Sequence, residues 1–139
     1  MKTAPQTIQT IGSTGLTGPL QVEILPNGLS ARLVRPFKVK TKSGGVIEVP
    51  EGFETDFASV PRFFWRIVPP WGKYSPAAVV HDYLYSTGEA PRDIIDRIFL
   101  DLMEELGVKG WKRETMYWAV RTFGGWAWKK HRERQAKNA

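Results

Sequence analysis

The 139-residue chain has no cysteine, which excludes a disulfide framework and any thiolate metal site. That fits a reducing cytosol, or a particle assembled in one. Histidine is scarce: only His81 and His131 occur, and the second sits in a charged tail. No apolar run approaches the roughly 20 residues of a membrane-spanning helix. Met1 and Lys2 are followed by Thr, Gln and Ser rather than by an apolar stretch, so no secretory signal is expected. Acidic residues are rare in the last quarter. From Lys109 to Ala139 there are 9 Lys/Arg against 2 Glu, a balance of +7, whereas residues 1–108 hold 11 basic and 12 acidic groups, a balance of −1. The net charge of +6 therefore belongs to the C-terminal end.

Apolar material is plentiful: 42% of the residues are hydrophobic and 12% aromatic, ample for one packed core. The expected organisation is an arm over residues 1–19, one globular domain over 20–128 and a basic tail over 129–139. The arm (MKTAPQTIQTIGSTGLTGP) is polar, rich in Thr and Gly and without a period, so it gains order only against the body or a neighbour.

Leu20–Leu25, Ala31–Thr41 and Val46–Pro50 read as strands of a small antiparallel sheet. Pro26-Asn27-Gly28 marks a turn and Ser43-Gly44-Gly45 a hairpin. Pro36, inside the second run, implies an edge strand or a bend. The stretch EGFETDFASVPRFFWRIVPPWGKY is an aromatic-rich connection that surrounds Asp56, Ser59 and Arg62.

Helices follow. Ser75 is placed as N-cap with Pro76 at the first helical position, and the helix runs to about Ser86. A second runs from about Pro91 to Leu106, with Ile94, Ile95, Ile98, Phe99, Leu102, Met103 and Leu106 on one face and Gly107 closing it. A third, about Lys112–Phe123, turns Thr115, Met116, Ala119, Val120 and Phe123 inward. Gly124-Gly125 is expected to break it before a basic helix that frays. The fold class is α+β: a small antiparallel N-terminal sheet, then a three- to four-helix half.

On the first helix Ala77, Val80, His81, Leu84 and Tyr85 share one stripe, which puts His81 on or beside the buried face and Asp82 one step round. Asp96 falls at the border of the second helix's apolar arc, whereas Asp93, Arg97 and Glu104 point away. Antiparallel packing across the short Thr87–Ala90 link lets Asp96 face the first helix. A carboxylate bonded to one ring nitrogen fixes the tautomer of His81 and leaves the other nitrogen as a general base. Asp82 and Asp56 are candidate oxygen ligands for a divalent cation, calcium or another, that would polarise a carbonyl or phosphoryl oxygen. Arg62 and Tyr85 are candidate anion-binding or supporting residues. Beside this stands the plainer reading, a satisfied structural His–Asp pair.

Ser59 sits in no Gly-x-Ser-x-Gly context and reads as a turn or cap. Arg66, like Arg62, reads as solvated or stacked on an aromatic ring. The six tryptophans read as core or interface anchors. Lys129, Lys130, Arg132, Arg134 and Lys137, with His131, offer contacts to phosphate backbone or to an acidic partner. No zinc-finger spacing or RNA-binding strand motif supports nucleic acid further.

The ordered set VIEVPEGFETDFASVPRFFW, YSPAAVVHDYLY, RDIIDRIFLDLMEELGV and YWAVRTFGGWAW resembles a domain family of unknown function from tailed phages and prophages, number 1353 in its series. The resemblance covers residues 30–128. It implies a phage or prophage origin, with other virion proteins as partners through residues 1–19 and the basic tail. The implied location is the virion, after synthesis in the host bacterial cytoplasm. The segment VVHDYLY is also similar to the His-Asp-x-x-Tyr helix of secreted calcium-dependent phospholipases. That likeness implies His81 activating water, Asp82 binding calcium and Asp96 holding His81. The chain departs from that family in having none of its cysteines and no Gly-rich calcium loop before the helix. Two functions follow as expectations. One is a virion-associated, tail, baseplate or connector protein with a His/Asp hydrolase-like site acting on a cell-envelope component. The other is a purely structural virion protein with a non-catalytic polar core.

Overall fold

A computed structural model describes residues 20–27, 30–42, 45–56, 66 and 74–138. The arm, Ser59, Arg62 and most of the aromatic connection lie outside these described residues. The chain divides into two compact units, Met1–Asp56 and Phe57–Ala139, and its elements are α+β as expected.

The N-terminal unit holds β1 (Val22–Ile24), β2 (Ala31–Leu33), β3 (Phe37–Lys40), β4 (Val46–Val49) and β5 (Glu54–Thr55). The run Ala31–Thr41 does not form one strand. It bends over Val34-Arg35-Pro36, because proline offers no N–H to a ladder, and its halves enter different sheets. One sheet is ordered β1-β2-β5 and the other pairs β3 with β4, all antiparallel. The two-residue β5 carries no period for sequence to reveal. Its register sets Arg32 opposite Glu54, so the Arg32 guanidinium lies 3.3 Å from Glu54 and 3.0 Å from Glu23. In β3 the alternation is strict, with Phe37 and Val39 buried and Lys38 and Lys40 exposed. Phe37, Leu33, Leu20 and Val49 are among the fully buried side chains.

The C-terminal unit is built from α1 (Ser75–Thr87), α2 (Arg92–Glu105) and α3 (Gly110–Asn138). In α1 the N-cap is Tyr74 and not Ser75, with Pro76 in the first turn. Nearly the whole helix is buried, from Ser75 to Asp82 with Leu84 and Tyr85. It ends at Gly88, whose φ of 69° is a left-handed conformation in which a glycine pays no side-chain clash. Helix α2 ends as expected around Gly107, where the N–H groups of Gly107 and Val108 donate back to the carbonyls of Glu104 and Met103, the paired bonds of a Schellman motif. Ile95, Phe99, Leu102 and Met103 are buried. Ile94, expected inward, is exposed, as is Phe123 on α3.

The Gly124-Gly125 pair does not break the third helix, and no separate basic helix follows it. Helix α3 continues for 29 residues, about 43 Å at 1.5 Å per residue. The glycines cost about 1 kcal/mol each in propensity, and tertiary contact overrides that cost. A Cβ on Gly124 would stand 2.8 Å from the Tyr85 hydroxyl, so glycine lets α3 close on α1 there. Gly124→Val is therefore expected to lower the unfolding free energy by about 1–3 kcal/mol through overpacking. Gly125→Ala, whose Cβ meets only Arg92 at an ordinary 3.5 Å, should stabilise the helix by roughly 0.5–1 kcal/mol. Urea denaturation of the two variants checks the contrast.

The basic end does not fray. Arg132 stacks on Trp128 at 4.3 Å and donates to the carbonyls of Tyr85 (2.5 Å) and Ser86 (3.0 Å). Gln135 donates to the carbonyls of Ser86 and Thr87. These are terminal carbonyls of α1, which have no partner inside their own helix, and a cation there also opposes the helix dipole. The tail thus serves as the C-terminal cap of α1.

Candidate functional site

The link between α1 and α2 is short, so the helices pack as neighbours and Asp96 turns fully inward (0% exposed) instead of sitting on the border of the apolar arc. One of its oxygens, Oδ1, lies 2.7 Å from Nε2 of His81 and accepts a 2.7 Å bond from the Tyr85 hydroxyl. The other, Oδ2, accepts a 2.6 Å bond from Arg121 on α3, and the Arg92 guanidinium stands 3.9 Å away. Arg92 also donates to the Tyr85 hydroxyl (3.1 Å) and to the α3 carbonyls of Val120 and Arg121. A single buried carboxylate therefore ties three helices together.

A carboxylate only accepts, so Nε2 of His81 carries the proton and the neutral ring keeps Nδ1 as its basic nitrogen. The ring lies 4.2 Å from that of Tyr85 and 4.7 Å from that of Phe99, centroid to centroid. Its side chain is 1% exposed. Burial pulls the imidazole below its ordinary range, and Arg92 adds to this, against the opposing pull of Asp96. Burial pushes Asp96 up, but the bonds from His81, Tyr85 and Arg121 outweigh it and hold the carboxyl below its usual range. Burial raises the Tyr85 phenol, and Asp96 raises it further. The bond to Asp96 raises the Arg121 guanidinium. At neutral pH the site is a neutral imidazole, a carboxylate and two arginines.

The linkage has a definite sign. Since His81 is held below its unfolded value, the unfolded chain takes up its proton first, and stability falls as pH drops below about 6.5. Asp96, also depressed, adds a loss of the same sign in more acidic solution, as pH falls through its folded value. Unfolding free energies should decline with acid at up to about 1.4 kcal/mol per pH unit just below pH 6.5. His81→Gln keeps an N–H for Asp96 without a titrating group, and it should flatten that limb. Denaturant titrations across this range, with wild type and variant side by side, measure the difference.

Of the sequence candidates, the structure brings His81, Tyr85 and Asp96 together. Asp82 is buried on α1. Asp56 is exposed and closes the N-terminal unit. Arg62 lies outside the described residues. Among the described residues no group of three or more His, Cys, Asp or Glu side chains is placed to hold a metal ion. Among them, too, no helix is long and apolar enough to cross a membrane. Sequence reasoning missed Arg92 and Arg121. Arg92 stands four residues before Asp96 in the same helix, a spacing that signals an ion pair. Arg121 carries no such local sign.

Fold and site together define an α+β protein in which an antiparallel N-terminal unit precedes three helices joined by a buried His–Asp–Arg knot. The chain belongs to the family described as Protein of unknown function (DUF1353), whose pattern matches residues 31–120. His81, Asp82, Tyr85, Arg92 and Asp96 fall inside that match, and Arg121 lies one residue beyond it. Over 78 residues the chain is 44% identical to "Uncharacterized protein y4jT" of Sinorhizobium fredii (strain NBRC 101917 / NGR234). That alignment covers 55% of this chain and 23% of the relative, so the chain spans under a quarter of the length of that curated protein. No solved structure matches the chain.

Proposed function

We propose that the chain is a structural, particle-associated component of a tailed phage or prophage, and that the His81–Asp96–Arg121 knot fixes its helices instead of performing catalysis. The observation that carries this reading is the closure of the knot. Asp96 is fully buried with three donors on its two oxygens, and the His81 side chain is 1% exposed. A general base must come within roughly 2.6–3.2 Å of the proton it removes, and a sealed imidazole meets no substrate. Buried polar groups that are fully bonded make a packing arrangement specific. The phage setting is supported by the motif resemblance alone. Mass spectrometry of purified particles from a phage or induced prophage that encodes the chain tests it. The chain should be present at a fixed ratio to the other tail proteins, and its absence from infectious particles would overturn the proposal.

One feature favours a second reading. Nε2 of His81 is held by a carboxylate of the following helix, as the resemblance to calcium-dependent phospholipases implies. On that reading His81 activates water, and Asp82, beside it on α1, supplies an oxygen to a divalent cation. The substrate would be an ester, amide or phosphodiester of the cell envelope. This reading requires His81 to become accessible.

A further inference from the structure

Helix α3 packs through Met116, Ala119, Val120, Gly124 and Ala127. Away from that buried set it exposes Trp111, Trp118 and Trp126, at 56%, 59% and 66% of their surface. At 3.6 residues per turn the three indoles share an arc of about 80° and form a row about 22 Å long. The row runs on into a basic end. Lys129 lies inside the same arc and Lys130 and Lys137 border it, all three exposed, with the exposed Arg134 one turn beyond Lys130. Two carboxylates oppose them: Glu133, between Lys129 and Lys137, and Glu114, at the far end of the row. The last turns therefore carry a surplus of cations on the side that the indoles occupy. Aromatic and basic groups are also paired, with the Lys130 ammonium 4.6 Å from the centroid of Trp126 and that of Lys112 5.6 Å from the centroid of Trp111.

We propose that this side of α3 lies flat on an anionic lipid surface, with its indoles at the level of the headgroups and its lysines against the lipid phosphates. Exposed aromatic rings in line with a surplus of cations are the makeup of a helix that rests in a membrane interface. An indole, apolar in body and polar at its N–H, settles at headgroup level. A straight row on one side of a rigid helix meets a plane along its whole length, and the buried set keeps the rest of the helical unit behind it. The contact is peripheral, since α3 is not apolar enough to cross a bilayer. The paired ammonium groups decide between lipid and single-stranded nucleic acid, which would stack bases on open indole faces. Lys130 and Lys112 already occupy a face of two of the three rings. At a bilayer the same pairs are an advantage, because a lysine stem lies along apolar surface while its head reaches the phosphates. The row shares no residue with the buried knot, so vesicle binding stands or falls independently of what His81 does.

Co-sedimentation of the full-length chain with vesicles of phosphatidylglycerol and phosphatidylcholine in equal parts reads the outcome, against vesicles of phosphatidylcholine alone. The chain should partition onto the anionic vesicles, with its tryptophan emission moved to the blue, and should leave them as salt is raised. Trp118→Ala or Trp126→Ala should lower the partition coefficient by about tenfold, through apolar area no longer removed from water. Lys129→Gln and Lys137→Gln should each lower it about fivefold, the weight of one lysine near an anionic surface. All four positions are exposed, and circular dichroism confirms that each variant is folded. Failure to bind the anionic vesicles overturns the proposal, as does equal binding to phosphatidylcholine alone. Binding that the tryptophan variants leave unchanged also overturns it, since the chain would then adhere by charge only. A chain that buries the row against a second copy, or prefers a single-stranded DNA oligonucleotide to the vesicles, overturns it equally.

Discussion

Asp96→Asn is expected to lower the unfolding free energy by about 3–5 kcal/mol, the range for a buried ion pair broken from one side. The substitution is nearly isosteric, so the loss comes from charge and bonding and not from a cavity. Oδ1 accepts from both His81 and Tyr85, and an amide oxygen can still serve that pair. The position of Oδ2 would become an NH2 group pointed at the Arg121 guanidinium, which now donates to it at 2.6 Å. Turning the amide over moves the conflict to His81 and Tyr85, both donors. Either orientation opposes donor to donor and leaves Arg121 and Arg92 without their counter-charge. Adding Arg121→Met should recover part of the loss, because the uncompensated cation goes with it. Equilibrium unfolding in urea with a double-mutant cycle measures both terms. A loss under 1 kcal/mol would mean that the carboxylate is replaceable and does not organise the helices.

Phe99→Ala should cost a similar amount, about 3–5 kcal/mol, by a different route. Phe99 is 1% exposed and its ring lies 4.7 Å from that of His81, so truncation leaves a void against the imidazole. Burial is the foremost cause of the depressed His81 pKa, and a void that admits water weakens it. The variant should therefore show both a lower unfolding free energy and a His81 titration moved up towards its ordinary range, read from ring-proton shifts by NMR. A stability loss with an unmoved titration would assign the depression to Arg92 instead of to burial.

How far the sequence revealed this arrangement depended on the range of the interaction. The stripe from Ala77 to Tyr85 was legible because a helical period repeats locally, and all of its members are buried. The His81–Asp96 pairing was legible because a four-residue link forces neighbouring helices together. Arg121 was not, since its bond to Asp96 joins residues 25 positions apart and nothing in its neighbours marks it. The Gly124-Gly125 pair misled for a related reason. Local propensity argues for a break there, yet the close approach to Tyr85 that makes glycine useful is a tertiary fact. The exposed Ile94 and Phe123 show the limit of hydrophobic periodicity, which finds an apolar arc more readily than its edges. In the N-terminal unit Pro36 announced a bend, but not that the two halves would join separate sheets.

The central claim is that His81 holds helices and does no chemistry, and His81→Gln in a phage or prophage that encodes the chain tests it most directly. Glutamine carries an N–H that reaches Asp96 much as Nε2 does, and it cannot serve as a base. Particles should assemble in normal number, appear normal by electron microscopy and infect as wild type does. Normal particles that contain the chain but fail in infection or lysis would contradict the claim and establish His81 as a reacting group.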